Sequence, residues 1–300
     1  MELTQTAVRL AVVRAERGQV YFGLHSAELP PEIMLDEYSS AGIGDSGVLA
    51  ETVQRCMAGL GVRAPARMSI GLPDGMFRIQ IMDFDAIPSR RSEQERLIRW
   101  RIQKQAAFDL SNSLLRFQVI RRRDGRFTAV VCVVRRVVIE QCESVIRSLG
   151  AEPWEIAPSS FHTSNLYASY AAARSTVYAL SVVSASSLAT IVIDQGVPTF
   201  YRYKDLKRMG GQDAGNRFIK EIDDSLHFFT HHDRSRSRTQ DIGRLFLTGE
   251  RAVIGGLADE IARMLPLDTE VVSPEAVVSH DAPGDILPDF SAAIGAGVVL

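Results

Sequence analysis

His227 and His231 stand four residues apart, with His232 and Asp233 beside them, at the end of a segment with helical periodicity, Phe218 to Phe229. Two imidazoles at that spacing share a helix face and could begin a zinc site. A zinc protease also carries a Glu directly after the first His as general base, and here Phe228 occupies that place. A helix end losing its periodicity is the ordinary reading. Asp223 and Asp224 are adjacent on the same helix, so their carboxylates diverge and do not form an acid–base pair. No Ser/His/Asp grouping or Cys/His pair suggests a nucleophile. Cysteines 56, 132 and 142 are odd in number and show no CxxC spacing, which argues against a disulfide framework or a structural metal and for a reducing compartment. Three basic groups remain: Lys204, Lys207 and Arg208 before Gly210 and Gly211; Arg121, Arg122 and Arg123; and Arg234, Arg236 and Arg238 alternating with serines. Such groups can meet anions, lipid head groups or an acidic partner, although most charge runs are solvated faces.

The whole chain does not favour a polyanion. Its 300 residues carry 34 basic and 36 acidic side chains, a net charge of −2, so nucleic acid is not an expected partner. The composition, 46% hydrophobic and 23% charged, is that of a soluble chain long enough for one large or two modest domains. Arg9, Arg14 and Arg17 interrupt the apolar N-terminus, and the longest clean apolar runs, Ala129–Val134 and Ala292–Leu300, are too short for a membrane span. The expectation is a cytoplasmic protein that reaches a membrane only through a partner.

The hydrophobic pattern supplies the elements that would position these residues. Val8–Val13 and Gln19–Leu24 read as a hairpin, Val48–Leu60 as a helix stopped by Gly61, and Arg67–Leu72 as a strand. A compact strand–helix–strand–strand module follows: Met76–Phe84, Glu93–Phe108, Leu114–Arg121 and Phe127–Arg135, with Arg123–Asp124–Gly125 as the last turn. Within its helix Trp100 falls outside the Ile98–Ile102 stripe and could be an exposed anchor, although a contact with the module's own strands is the expected role. Val137–Leu149 is helical, Pro153–Ala157 extended and Phe161–Ala173 helical. The second half opens with a meander, Val177–Val183, Leu188–Ile193 and Pro198–Tyr203. Helix Phe218–Phe229, strand Leu245–Thr248, helix Ile254–Leu265, strand Glu270–Val272 and closing helix Ser291–Leu300 complete it. The shared order of the two halves suggests a duplicated α/β layout.

Motif order along this framework resembles the PilM proteins of type IV pilus assembly. Ile70–Gly71–Leu72–Pro73, Ile98–Arg99–Trp100, Ala107–Phe108–Asp109–Leu110 and Phe117–Gln118–Val119–Ile120 are similar to that family's "LP", "IRWE", "IPFDL" and "DFQVL" stretches, in that order and at about those spacings. Val130–Arg135, Val137–Gly150 and Pro153–Pro158 match the next strand, helix and strand. Leu180–Gly196 resembles its "LVDIGASSTTLSVLRDG" hairpin, Leu245–Leu257 its "LLTGGGALLPGL" and Ala292–Leu300 its "AAIGLAL". The resemblance implies an α/β, actin-like (ribonuclease H-like) fold of two lobes about a nucleotide cleft. It places the first lobe at residues 1–175, with a small insert at about 76–135, and the second at 176–300.

It also implies where a nucleotide would lie, and those positions are altered. The first-lobe "DIGSSSVK" falls on Glu2 to Arg9, putting Glu2 at the Asp and Thr4 at the Gly. The second-lobe "DIGAS" falls on Val182 to Ser186, putting Val182 at the carboxylate and Ser184 at the glycine. A valine cannot hold a hydrated cation, and a Cβ at the glycine crowds the phosphate path. The adenosine turn keeps Gly249 but has Glu250 and Arg251 where further glycines belong. Ser184, Ser186, Ser187, Gly210, Gly211, Gly249 and Glu250 are therefore candidates for a vestigial cleft, with either no cofactor or weakly held Mg-ATP, and no catalytic residue or metal site is assigned.

The resemblance implies a cytoplasmic scaffold, a pseudo-ATPase, that binds the N-terminal tail of a PilN-like single-span inner-membrane protein in a first-lobe groove near the insert, along with other pilus or secretion components. The alternatives are an active, nucleotide-binding ATPase or nucleotide-gated switch of the same fold and the type II secretion L component, which normally continues into a membrane span. A sugar or acetate kinase is more distant, since it needs a catalytic Asp where Val182 stands.

Overall fold

A computed structural model describes residues 1–16, 19–63, 65–105, 110–122, 125–207, 214–232, 242–278 and 288–298. Alternation of buried Val8 and Leu10 with more exposed neighbours makes strand β2 (Ala7–Glu16), which pairs antiparallel with the two-residue β1 (Glu2–Leu3) on one side and β3 (Gln19–Glu28) on the other. A short ladder of β4 (Met34–Leu35) and β5 (Gly42–Ile43) leads to helix α1 (Ser46–Gly59). Asp45 caps that helix, its Oδ1 accepting from Gly47 N–H at 2.8 Å and Val48 N–H at 3.1 Å. β6 (Arg67–Leu72) then runs parallel to β1.

The insert follows as β7 (Phe77–Phe84), α2 (Arg91–Gln105), β8 (Ser113–Arg121) and β9 (Phe127–Arg135), a three-stranded sheet ordered β7-β9-β8. Ile98 and Ile102 of α2 bury against Leu115, Phe117, Ala129, Val131 and Val133, giving the module a core of its own. Trp100 does not join it: its side chain is 54% exposed, with Lys104 Nζ 4.1 Å above the ring, which corrects the contact expected for it. Two residues on from Ile98, it lies on the face of the helix turned away from the strands.

Helix α3 (Arg136–Ser148), strand β10 (Glu152–Pro158) and helix α4 (Ser159–Ala172) complete the first half, whose sheet is ordered β10-β6-β1-β2-β3. The second half repeats this plan with β11 (Val177–Ser184), β12 (Ser187–Asp194), β13 (Val197–Asp205), helix α5 (Ala214–His232), β14 (Arg244–Gly249), helix α6 (Arg251–Met264) and β15 (Thr269–Val271), ordered β13-β12-β11-β14-β15. In each sheet an antiparallel meander is extended by two parallel strands. The short β1, β4 and β5 were not expected, because two residues carry no period. Residues 17–18, 106–109, 123–124 and 299–300, where a hairpin turn, the α2 exit, the Arg123–Asp124 turn and the end of the closing helix are expected, lie outside the described residues.

Helices α1 and α3 cover the first sheet, and α5 and α6 cover the second. α4 and α7 (Ser291–Val298) lie between the sheets, where Tyr167 and Ile294 meet Ala11 and Val13 from one side and Leu180, Ile191 and Phe246 from the other. This packing needs a glycine, since a Cβ on Gly295 would strike the His162 carbonyl of α4.

Candidate functional site

The β1–β2 and β11–β12 turns face each other across the two halves. Glu2, Thr4, Val182, Ser184, Ser186, Ser187, Gly249 and Glu250 line one cavity there with Arg9 and Asp289, and its volume is about 130 Å³. Small-molecule pockets usually enclose roughly 300–1,000 Å³. The expected Gly210 and Gly211 lie outside the described residues, as does Arg208.

Each turn is closed by the chain's own side chains. In the first, the Thr4 hydroxyl accepts from Ala7 N–H at 2.9 Å and Thr6 N–H at 3.3 Å, and donates to the Ala7 carbonyl at 3.1 Å. The residue at the glycine position thus ties up the backbone N–H groups. In the second, Ser184 and Ser187 hydroxyls meet at 2.7 Å, and Ala185 N–H donates to Glu250 Oε2 at 2.7 Å. Glu250 reaches this turn from the loop between β14 and α6, a path that depends on Gly249. That residue has φ 130°, and a Cβ on it would collide with the Val183 backbone.

The other oxygen of Glu250, Oε1, accepts from Arg9 at 3.0 Å, and this bond joins the two halves. Arg9 also approaches Glu2 Oε2 at 3.4 Å and Asp289 Oδ1 at 3.8 Å, with its side chain only 13% exposed. Burial raises the Glu2 and Asp289 carboxyls above their usual range, and in both Arg9 works against that rise. Val182, for which the resemblance would have expected a carboxylate, packs against the apolar layer between the sheets.

A second carboxylate spans the halves nearby. Asp74, in the turn after β6, accepts from Ser160 N–H at the start of α4 at 3.1 Å, from the Ser160 hydroxyl and from the Tyr201 hydroxyl of β13 at 2.8 Å. Burial is the main cause raising its carboxyl, against those hydrogen bonds. Lys207 pairs with Asp36 at 2.7 Å, Lys204 with Glu221 at 3.5 Å and Arg122 with Asp194 at 2.7 Å, so these cations serve ion pairs within the chain. His227 and His231 are exposed and stack on each other with ring centres 3.8 Å apart. His232's side chain, Asp233 and Arg234, Arg236 and Arg238 lie outside the described residues. Among the described residues no group of three or more His, Cys, Asp or Glu side chains is placed to hold a metal.

Sequence reasoning missed Arg9 as the centre of the cluster, and missed Asp74, Tyr201 and Asp289. The available signal was a cation between Val8 and Leu10, on a strand whose neighbours are buried. Two of its partners, Glu250 and Asp289, lie 241 and 280 positions away, which no local pattern can indicate.

A larger groove, about 440 Å³, runs between the insert and the first sheet. Leu114, Val130 and Cys132 form its floor on the sheet face opposite α2, and Trp154, Ile156 and Phe161 form its wall. Trp154 is 55% exposed, with the Arg67 guanidinium 4.0 Å over its ring. Burial pushes the Cys132 thiol in the floor up to about 12, so it stays protonated and unreactive.

Two sheets of matching strand order, each a meander extended by two parallel strands, with paired turns across a cleft, define the two-lobed actin-like ATPase fold. Among solved structures, a PilM–PilN type IV pilus biogenesis complex matches 99% of this chain and 96% of its own at a TM-score of 0.81 and 17% identity. The cytoplasmic domain of EpsL, an inner membrane component of the type II secretion system of Vibrio cholerae, matches all of this chain and 93% of its own at a TM-score of 0.50 and 13% identity. No protein-family model and no curated protein matches the chain. Among the described residues no helix is long and apolar enough to cross a membrane.

Proposed function

We propose that the protein is a cytoplasmic actin-like scaffold of a type IV pilus or related secretion machine, one that holds the N-terminal tail of a PilN-like inner-membrane protein and does not hydrolyse ATP. The observation that carries the proposal is the groove between the insert sheet and the first sheet, mainly apolar with Arg116, Gln118, Glu143 and Glu155 at its lining, in a chain whose fold matches PilM over nearly its full length. One face of that sheet lies under α2 and part of the other, at Phe77, Ile79 and Val134, packs on the first-lobe core; an extended tail can fill the groove left beside them with backbone and side-chain contacts. Attachment to the membrane would then come through this partner.

The pseudo-ATPase part rests on the cleft. No carboxylate stands at Val182 to position a metal, Thr4 and Ser184 place side chains where a phosphate would approach, and the cavity is smaller than a nucleotide pocket. Loss of preorganised charge stabilisation commonly costs a hundredfold or more in rate.

Calorimetry with a synthetic peptide of the N-terminal tail of a PilN-like single-span membrane protein from the same source tests the tail reading. Saturable binding that slows hydrogen exchange at Leu114–Gln118 and Trp154–Phe161 is expected. No binding, or protection only elsewhere, would refute it. Millimolar Mg-ATP should leave the melting midpoint unchanged. A shift of several degrees would point to the nucleotide-gated switch instead, since a ligand at a hundred times its Kd adds about 2.7 kcal/mol.

A further inference from the structure

We infer that the cleft is an oxyanion site whose resident ligand is the chain's own Glu250 carboxylate, which holds the lobes together as a bound anion would. The inference concerns the cleft alone and does not depend on tail binding. An oxyanion site between two lobes needs backbone N–H groups at a turn, a cation from the other side and a close approach of the chain. All three are present, and Glu250 is at their centre. Its Oε2 takes the Ala185 N–H at 2.7 Å, at the turn between β11 and β12. Its Oε1 takes Arg9 at 3.0 Å, from β2 of the opposite lobe. Gly249, with its positive φ, lets the chain pass close enough to Val183 to deliver the carboxylate.

Three further features separate this arrangement from an incidental surface ion pair. Arg9 and Glu250 side chains are 13% and 18% exposed, so the pair is largely shielded from water. Arg9 is approached by Glu2 and Asp289 as well, which leaves it directed into the cleft even without Glu250. Ser184 and Ser187 add two hydroxyls at the rim of the same turn. If the Glu250 side chain is removed, what remains around a space of carboxylate size is an N–H donor, two hydroxyls and a largely shielded guanidinium that the Glu2 and Asp289 carboxylates still approach. That is a site for a small oxyanion such as acetate or inorganic phosphate.

Chemical rescue tests this. Glu250→Ala should lower the melting midpoint by about 5 °C, from the loss of two charge-assisted hydrogen bonds. Acetate or inorganic phosphate at tens of millimolar should restore at least half of that loss, relative to chloride at equal ionic strength, and leave the wild type unmoved. Phosphate restoring more than acetate would assign the site to the larger anion, and the reverse to a carboxylate; either supports the inference. Arg9→Ala combined with Glu250→Ala should abolish the rescue. Hydrogen exchange at Ala185 should quicken in Glu250→Ala and slow again with the anion. The inference is overturned if both anions shift wild type and variant alike, if neither moves the variant, or if rescue survives the loss of Arg9. Should Glu250→Ala not fold, Glu250→Gln retains an acceptor for Ala185 and removes the charge facing Arg9. Its exchange at Ala185 should then stay near wild type while its midpoint falls, and an unchanged midpoint would overturn the inference. Since Mg-ATP and the tail peptide take no part in the rescue, its failure is distinguishable from failure of the scaffold reading.

Discussion

The two lobes share one strand order but close their inward turns by different means. The β1–β2 turn is closed locally: the Thr4 hydroxyl bonds the N–H groups of Thr6 and Ala7, two and three residues on. The β11–β12 turn keeps a local contact between the Ser184 and Ser187 hydroxyls but is also closed from a distance, by Glu250, which is 65 residues further along the chain and is itself held by Arg9 of the other lobe. Local closure stabilises one turn. Closure through Glu250 links both lobes, so the same topology supports a self-contained turn on one side and a tether on the other. The matching glycines diverge in the same way. Gly71 pairs with Glu2 and Gly249 with Val183, at the end of the first parallel strand of each sheet. Only Gly249 has a positive φ and sits against backbone, whereas a Cβ on Gly71 would meet mainly the Ser159 and His162 side chains.

The largest expected effect falls on these glycines. Gly249→Ala should cost about 3 kcal/mol or more through strain and backbone collision, against about 1 kcal/mol for Gly71→Ala, where side chains can yield. Urea unfolding of the pair measures it, and equal losses would remove the asymmetry. Next comes the tether: a double-mutant cycle of Arg9→Ala and Glu250→Ala should give a coupling of about 2 kcal/mol. A coupling under about 0.5 kcal/mol would reduce the contact to mere proximity.

Between the lobes, His162 provides a pH test. Burial, the chief cause, lowers its pKa to about 4, and its Nε2 lies 3.3 Å from the Ile70 carbonyl. A pKa lower in the folded state than the ordinary 6.5 means that the stability present above pH 6.5 is lost as pH falls towards 4. About 2 kcal/mol of it should be gone by pH 5. The raised carboxyls of Glu2, Asp74 and Asp289 act in the opposite sense, binding protons more readily in the folded state. Comparing wild type with His162→Gln from pH 7 to 5 separates the two, and parallel curves would refute the assignment. The smallest effect belongs to the local turn: Thr4→Ala should cost about 1 kcal/mol and leave the Arg9–Glu250 coupling intact.

Much of this architecture was legible in the chain. The run Arg67–Leu72 and the meander from Val177 to Tyr203 stand where their apolar patterns put them, because each buries a face whose period is written locally. Glu2, Thr4, Val182, Ser184 and Glu250 were singled out only by motif position, as departures from a pattern. What Glu250 does in place of a glycine was not legible, since its function depends on Ala185 and Arg9. Trp100 was misjudged because a helix of mixed polarity has no sharp apolar face, so the packing of Ile98 and Ile102 decides which side is buried.

The sequence by itself determined the order of the elements, the near-neutral charge of −2 and the valine at position 182. Those are properties of neighbours along the chain, where period, turn chemistry and residue type act over a few positions. The tertiary structure alone decided that Arg9, Glu250 and Asp289 converge and that a groove is left between the insert and the first sheet. Electrostatic and packing energies depend on distance in space, and residues 241 positions apart become neighbours only when two sheets close on the helices between them.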